Sequence, residues 1–134
     1  MRGVWVTTTA STALDSRDNI KQMIANCKLA GINHVFIVVY NNARTIYPST
    51  VMQNITGIKQ LERFVGRDPL QECIEEGKAA GLKVHAWFEY GFSSSYSANG
   101  GSIIAAKPEW AAKDLNDKLV EINDKLEELE ANNE

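Results

Sequence analysis

Two short segments, Ala30-Gly31-Ile32 and Ala80-Gly81-Leu82, hold the same place in two helix-to-strand units, and this repetition constrains the fold more than any other feature of the chain. Ahead of the first, Ile20, Met23, Ile24 and Cys27 recur at helical spacing behind a capping Asp15 or Ser16. Ahead of the second stands the clearest helix start in the chain. Asp68 is an N-cap, Pro69 takes the first helical position, and Gln71 is placed to complete a capping box, with Leu70, Cys73, Ile74 and Gly77 as the buried stripe. Each glycine then admits a β-rich run. Residues 32–40 form one, and their core Val35-Phe36-Ile37-Val38-Val39 is apolar on both faces, as in a parallel strand buried between layers. Residues 81–90 form the other. Residues 3–8 add a first strand with Val4 and Val6 on one face and Trp5 and Thr7 on the other. Strands joined by helices give a parallel sheet with right-handed crossovers, so the fold class is α/β, a parallel sheet of βα units. A closed (βα)8 TIM barrel takes about 250 residues. A chain of 134 residues has room for only the first few units of such a barrel, here three βα units over residues 1–113.

Composition narrows the function. The chain is 44% hydrophobic and 23% charged, an ordinary balance for a globular domain. A net charge of -3 and the lack of a Lys/Arg cluster argue against a nucleic-acid partner, whose phosphates demand a basic stripe. The longest apolar run, residues 35–40, is far short of the ~20 residues that span a bilayer, so no membrane span is expected. Met1-Arg2 leads straight into the first strand without a signal peptide, which leaves a cytoplasmic protein or one whose leader has been removed. Cys27 and Cys73 each fall on a helical apolar stripe and read as core residues, since no CxxC or Cys/His spacing supports a disulfide or a metal. There is no phosphate loop, dinucleotide fingerprint or metal-ligand cluster, so neither cofactor nor metal is expected.

Between the repeated units, residues 41–66 break the pattern. Asn41-Asn42, Tyr47-Pro48-Ser49 and Asn54-Ile55-Thr56-Gly57 are turn signals, with a short helix expected near residues 58–64. Asn54-Ile55-Thr56 also matches a glycosylation acceptor, a triplet frequent by chance. After the third strand, residues 91–101 are rich in Ser and Gly and read as a loop over the carboxyl end of the sheet. Residues 114–134 change character. Leu115, Leu119, Ile122, Leu126 and Leu129 alternate four and three apart amid dense charge, which is heptad spacing. This carboxyl-terminal amphipathic helix packs on its own domain, or else carries a homo-oligomer contact.

Several of these stretches together resemble one family. They are Arg2-Gly3-Val4-Trp5-Val6-Thr7-Thr8, the strand from Asn33 to Val39 with the following Tyr47-Pro48-Ser49, the Asp68-Pro69-Leu70 helix start, and Val84-His85-Ala86-Trp87. In this order they resemble the glycoside-hydrolase-like family 10 proteins of bacteria, over Arg2 to about Asp114. The resemblance implies a TIM-barrel enzyme acting on glycosidic bonds of a polysaccharide or oligosaccharide, often exported or lipid-anchored. Two departures stand out. Phe88-Glu89-Tyr90-Gly91 replaces an Asn-Pro-Tyr type segment found in many relatives, and the heptad tail stands where relatives run on towards a fourth strand.

Hydrolysis of a glycosidic bond normally needs two carboxyl groups roughly 5 to 9.5 Å apart. Glu89 supplies one candidate. It ends the strand of residues 81–90, where barrel enzymes place catalytic groups, and Trp87 on the same face would shield it from water. Otherwise Glu89 is a solvated glutamate or pairs with Arg44 or Arg67. Alternation puts His85, Trp87 and Glu89 on one face, with Val84, Ala86 and Phe88 on a wholly apolar face against the helices. His85 is a second catalytic candidate, to act directly or to orient Glu89 or a sugar hydroxyl, although a mid-strand histidine is more often a hydrogen-bonded core residue. His34 opens its strand and reads as structural. Trp5, Tyr40, Trp87 and Tyr90 are candidates to stack on sugar rings, with core packing as the competing role for Trp5 and Trp87. Asn41 and Arg44 offer amide and guanidinium donors to sugar hydroxyls or a carboxylate, and turn chemistry alone also accounts for the Asn41-Asn42 pair. The expected function is thus part of a sugar site in a glycoside hydrolase, with only half of a catalytic pair. A non-enzymatic half-barrel that binds carbohydrate or self-associates is the alternative.

Overall fold

The computed structural model describes residues 1–95 and 100–113. Strand β1 (Gly3–Val6) leads through a loop to helix α1 (Arg17–Leu29) and strand β2 (His34–Asn41). A hairpin then adds the two-residue strand β3 (Arg44–Thr45), followed by helix α2 (Thr50–Thr56), a 3-10 turn at Glu62–Phe64, helix α3 (Pro69–Ala79) and strand β4 (Lys83–Phe88). Helix α4 (Gly101–Ala106) and a second 3-10 turn, Pro108–Trp110, follow. Both β1 and β4 pair with β2 in parallel, while β3 pairs antiparallel with the end of β2. The result is a mixed α/β fold with a sheet of βα units, consistent with part of a TIM barrel.

The repeated Ala-Gly segments close their helices with the same bonds. Gly31 and Gly81 adopt φ of 72° and 79°, which only glycine enters without strain. Gly31 N–H donates to Lys28 O and Ile32 N–H to Cys27 O; Gly81 N–H donates to Lys78 O and Leu82 N–H to Gly77 O. Each is a Schellman motif, which satisfies two orphan carbonyls and turns the chain into its strand. Ser16 caps α1 by accepting from Asn19 N–H, and Asp68 caps α3 by accepting from Gln71 N–H. The expected capping box is only half made, because the Gln71 amide donates to Glu75 instead of returning to Asp68.

Register places Val4, Val35 and Val84 side by side, with Val6 and Ile37 further along the same face. Against this face lie Ile20, Ile24 and Cys27 of α1 and Cys73 of α3, all buried. Gly77 lets α3 approach β4 closely, since a Cβ there would stand 2.5 Å from Val84 Cγ2. The stripe of α3 is narrower than its spacing suggests, because Ile74 remains 38% exposed. The helix layer also covers less of β4 than alternation predicts. Val84 is packed, but Ala86 and Phe88 are exposed.

The opposite face carries rings. Trp5 stacks on Phe36 at 4.7 Å and Phe36 on His85 at 4.8 Å, one ring from each parallel strand. His34 Nδ1 lies 2.8 Å from His85 Nε2, so one imidazole donates and the other accepts. Burial holds the His34 pKa below its ordinary value, with His85, Lys83 and the amino terminus adding to the effect.

Three elements were not expected from the pattern. The hairpin to β3 turns through Asn42 and Ala43, both at positive φ (50° and 56°), the signature of a type I′ turn that usually carries Asn-Gly. Helix α2 takes Ser49 as N-cap and ends on Gly57, so the Asn54-Ile55-Thr56 stretch read as a turn is its last turn. Only Met52 of α2 is buried, which leaves no apolar periodicity to detect. Helix α4 is a six-residue segment. The helix expected near residues 58–64 is the single 3-10 turn Glu62–Phe64. The heptad segment, residues 114–134, lies outside the described residues.

Candidate active site

The carboxyl ends of β1 and β2 and the chain that follows them border an open pocket of about 330 Å³, lined by Thr8, Thr9, Val38, Asn41, Asn42, Arg44, Ile46 and Leu61. Its shape depends on two arginines in the stretch after α2. Arg63 donates to Thr8 O and Ser11 O and pairs with Asp15. Arg67 donates to Leu14 O and Asp15 O and holds Glu72 at 2.6 Å. Gln60, buried, donates to Ile46 O and Arg67 O. These bonds tie the loop after β1 to the loop before α3, and so set one wall of the pocket.

The other wall comes from β2 and β4. The β2–β4 ladder slips by one residue between Val38 and Tyr40, so Val38 pairs with Trp87 while Tyr40 pairs with Phe88. Such a bulge re-aims side chains at a strand end. Beyond it, Glu89 N–H donates to Tyr40 O at 3.0 Å, extending the ladder by one bond. Asn41 Nδ2 donates to Glu89 Oε2 across the two strand ends. Asn41 therefore bridges the pocket and the carboxylate. Neither arginine considered as a partner for Glu89 fills that role. Arg67 holds Glu72, and Arg44 donates to Ala43 O and to Ser102 Oγ of α4 at 2.8 Å.

The remaining candidates divide by position. His85 hydrogen-bonds His34 inside the ring ladder rather than approaching Glu89. Trp5 is 58% exposed at the edge of that ladder, and Trp87 is half-buried against the core. Tyr40 is buried, and its hydroxyl donates to Ser93 O at 3.2 Å, with burial raising its pKa. Tyr90 is 79% exposed. Asn41, Arg44 and Glu89 are thus gathered at one end of the sheet with Tyr40 beneath and Tyr90 beside them in sequence, while His85 and Trp5 belong to the ring-bearing face. No pattern in the sequence marks Thr8, Thr9, Ile46 and Leu61 as pocket residues. The threonines follow a strand, which is a weak signal, and Ser102 meets Arg44 only through the fold. Among the described residues no group of three His, Cys, Asp or Glu side chains is placed to hold a metal ion, and no helix is long and apolar enough to cross a membrane.

Residues 1–127 match the glycosyl hydrolase-like 10 family. The chain belongs to this family. Curated relatives include the glycosyl hydrolase DigH of Escherichia coli strain K12, which is 32% identical over 109 residues, covering 66% of this chain and 24% of DigH. The proteins of the same name from E. coli O157:H7 and Shigella flexneri match equally. The chain spans about a quarter of the length of these relatives. Of the stretches that carry the resemblance, Arg2 to Thr8 contains β1, Asp68-Pro69-Leu70 caps and opens α3, and Val84 to Trp87 lies within β4.

Proposed function

We propose that this chain is the amino-terminal part of a glycosyl hydrolase barrel, three βα units over residues 1–113. It contributes one wall of a polysaccharide site, and Glu89 is one carboxyl group of the catalytic pair. The observation that carries this reading is the Asn41–Glu89 hydrogen bond at the carboxyl ends of two parallel strands, beside a pocket that Asn41 itself lines. Ligand sites in α/β sheets lie at that end. A primary amide fixed on one carboxylate oxygen leaves the other oxygen to accept from a sugar hydroxyl or to exchange a proton with a glycosidic oxygen. Arg44 and Asn42 add donors along the pocket, and exposed aromatics supply the apolar contact that a pyranose face requires.

The second carboxyl group is contributed from elsewhere in the whole enzyme. Asp15, Glu72, Glu75 and Glu76 are tied to Arg63, Arg67 and Arg17, away from Glu89. This favours binding without turnover by these residues alone; the second reading is a carbohydrate-binding module that self-associates, drawn from the heptad spacing of residues 114–134. The test is to incubate the 134-residue chain with bacterial polysaccharides and follow both retention on the polymer and release of reducing ends. The expected result is retention that weakens in Asn41→Ala and Glu89→Ala, with no release. Robust release abolished by Glu89→Gln would overturn the half-site reading, and retention indifferent to both alanine variants would remove Glu89 from the site. Light scattering before and after deletion of residues 114–134 separates the second reading.

A further inference from the structure

The arginines that pin the loops of this chain all hold carboxylates. Arg17 pairs with Glu75 and Glu76, Arg63 with Asp15, and Arg67 with Glu72. Arg44 differs. It is half-buried in β3 and lines the pocket, yet among the described residues no carboxylate pairs with it. Its guanidinium is nevertheless held in one place, because Nη1 donates to Ala43 O at 2.9 Å and to Ser102 Oγ at 2.8 Å. Both acceptors are neutral, and both use the same nitrogen. The edge formed by Nε and Nη2 donates to none of the described groups. That edge is the planar fork that takes a carboxylate through two parallel N–H bonds.

The surroundings of Arg44 come from this chain, since β3 folds onto β2, the central strand of the sheet, and α4 reaches the guanidinium through Ser102. A counter-ion was also within the chain's means. Asn41 and Arg44 are ladder partners across the hairpin, and it is Asn41, not Arg44, that holds Glu89. The two charges at this strand end are thus kept on separate partners. A guanidinium drawn partly out of water without an anion costs free energy, and an anionic group entering the pocket would offset it. The charge of Arg44 is felt in the site, where burial raises the Tyr40 pKa and Arg44 opposes the rise.

We propose that Arg44 is a specificity-determining residue that selects a sugar carrying a carboxylate, which docks on its Nε and Nη2 edge. This rests on the carbohydrate reading of the pocket and adds the charge of the sugar bound there. A carboxylate fits better than a phosphate or sulfate ester. It is planar like the fork, its single charge matches the single charge of Arg44, and a more highly charged group would be repelled by Glu89 at the same strand end. Thr8 and Thr9 line the pocket with hydroxyls for the rim of the ring, and Val38, Ile46 and Leu61 offer its C–H face apolar contact. A carboxylate on the ring itself and one on an ether-linked side arm present the same two oxygens.

Calorimetric titration of the full chain tests this with matched pairs of oligomers: tetragalacturonate against its methyl ester, and carboxymethylated cellotetraose against cellotetraose. At least one acidic oligomer should bind about ten- to a hundredfold more tightly than its neutral counterpart, the usual strength of hydrogen bonds to a charged group. The preference should shrink as salt is added. Preference within the first pair alone identifies a ring carboxylate, and within the second alone a side-arm carboxylate. Arg44→Gln should abolish the preference, which a purely structural arginine would not control. The comparison on the parent chain needs no variant, so it decides the matter even where the substitution unfolds the hairpin. Equal binding of acidic and neutral oligomers, or a preference that survives in Arg44→Gln, would overturn the assignment. Equal binding that Asn41→Ala and Glu89→Ala both weaken would keep the carbohydrate reading and remove Arg44 as its charge selector, whereas no binding of any of these oligomers would overturn both.

Discussion

The two ends of the parallel sheet are built by different rules. At the amino end, both helices finish in identical Schellman motifs, Arg2 N–H donates to the Asn33 side chain, and His34 and His85 share a hydrogen bond. Local sequence preference and tertiary geometry agree there. At the carboxyl end they conflict: the ladder slips at Val39, Ala43 occupies a slot usually given to glycine, and Tyr90 sits at positive φ in front of an available glycine. Consistency across levels makes a stable scaffold, and departures from it gather where function competes with stability. The pocket and the Asn41–Glu89 pair both lie at the irregular end.

Substitutions sharpen this contrast. The largest effect is expected at the helix layer, where Ile20 is fully buried against the sheet. Ile20→Ala should lower unfolding free energy by about 2–5 kcal/mol in urea titrations, the usual cost of emptying a core site. Loss of the α3 cap in Asp68→Ala should cost about 1 kcal/mol by the same measurement. At the irregular end, Ala43→Gly should change stability by less than ~0.5 kcal/mol although Ala43 is buried. Relief of left-handed strain, about 1 kcal/mol, offsets the lost methyl burial and the added chain entropy. A loss as large as that of Asp68→Ala would show that Ala43 is not strained and would weaken the contrast.

The smallest effect concerns pH. His34 has a folded pKa below its ordinary value of 6.5, chiefly through burial. The unfolded chain therefore binds more protons between the two values, so stability rises with pH across that window. The contribution is complete above about pH 6.5 and is lost as pH falls through the depressed folded value. Urea midpoints measured from pH 7 downward should decline, and His34→Gln should flatten the decline.

Much of the regular end was legible in the sequence. The stripe Ile20, Ile24, Cys27, the Asp68-Pro69 start and the Ala-Gly repeats are local patterns whose physical causes act within a few residues, and the structure contains each of them. The pleat of β1 also holds, with Val4 and Val6 inward and Trp5 outward. The irregular end was legible in residue type but not in arrangement. Residue type marks Asn41, Arg44 and Glu89 as candidates, yet the Asn41–Glu89 bond depends on a one-residue slip between strands that no local pattern announces. The β3 hairpin was hidden because Asn42-Ala43 lacks the usual glycine, and α2 because its Thr50-Val51-Met52-Gln53-Asn54-Ile55-Thr56 run buries a single side chain.

The central claim, that the carboxyl end of the sheet is the sugar-facing end, is tested most directly by amide chemical-shift mapping of the full chain titrated with a soluble glycan oligomer. Perturbations confined to the amides of Thr8, Thr9, Asn41 to Arg44 and Glu89 to Ser93 are the predicted result. Perturbations centred on α1, α3 or the His34–His85 end, or none at saturating glycan, would contradict it.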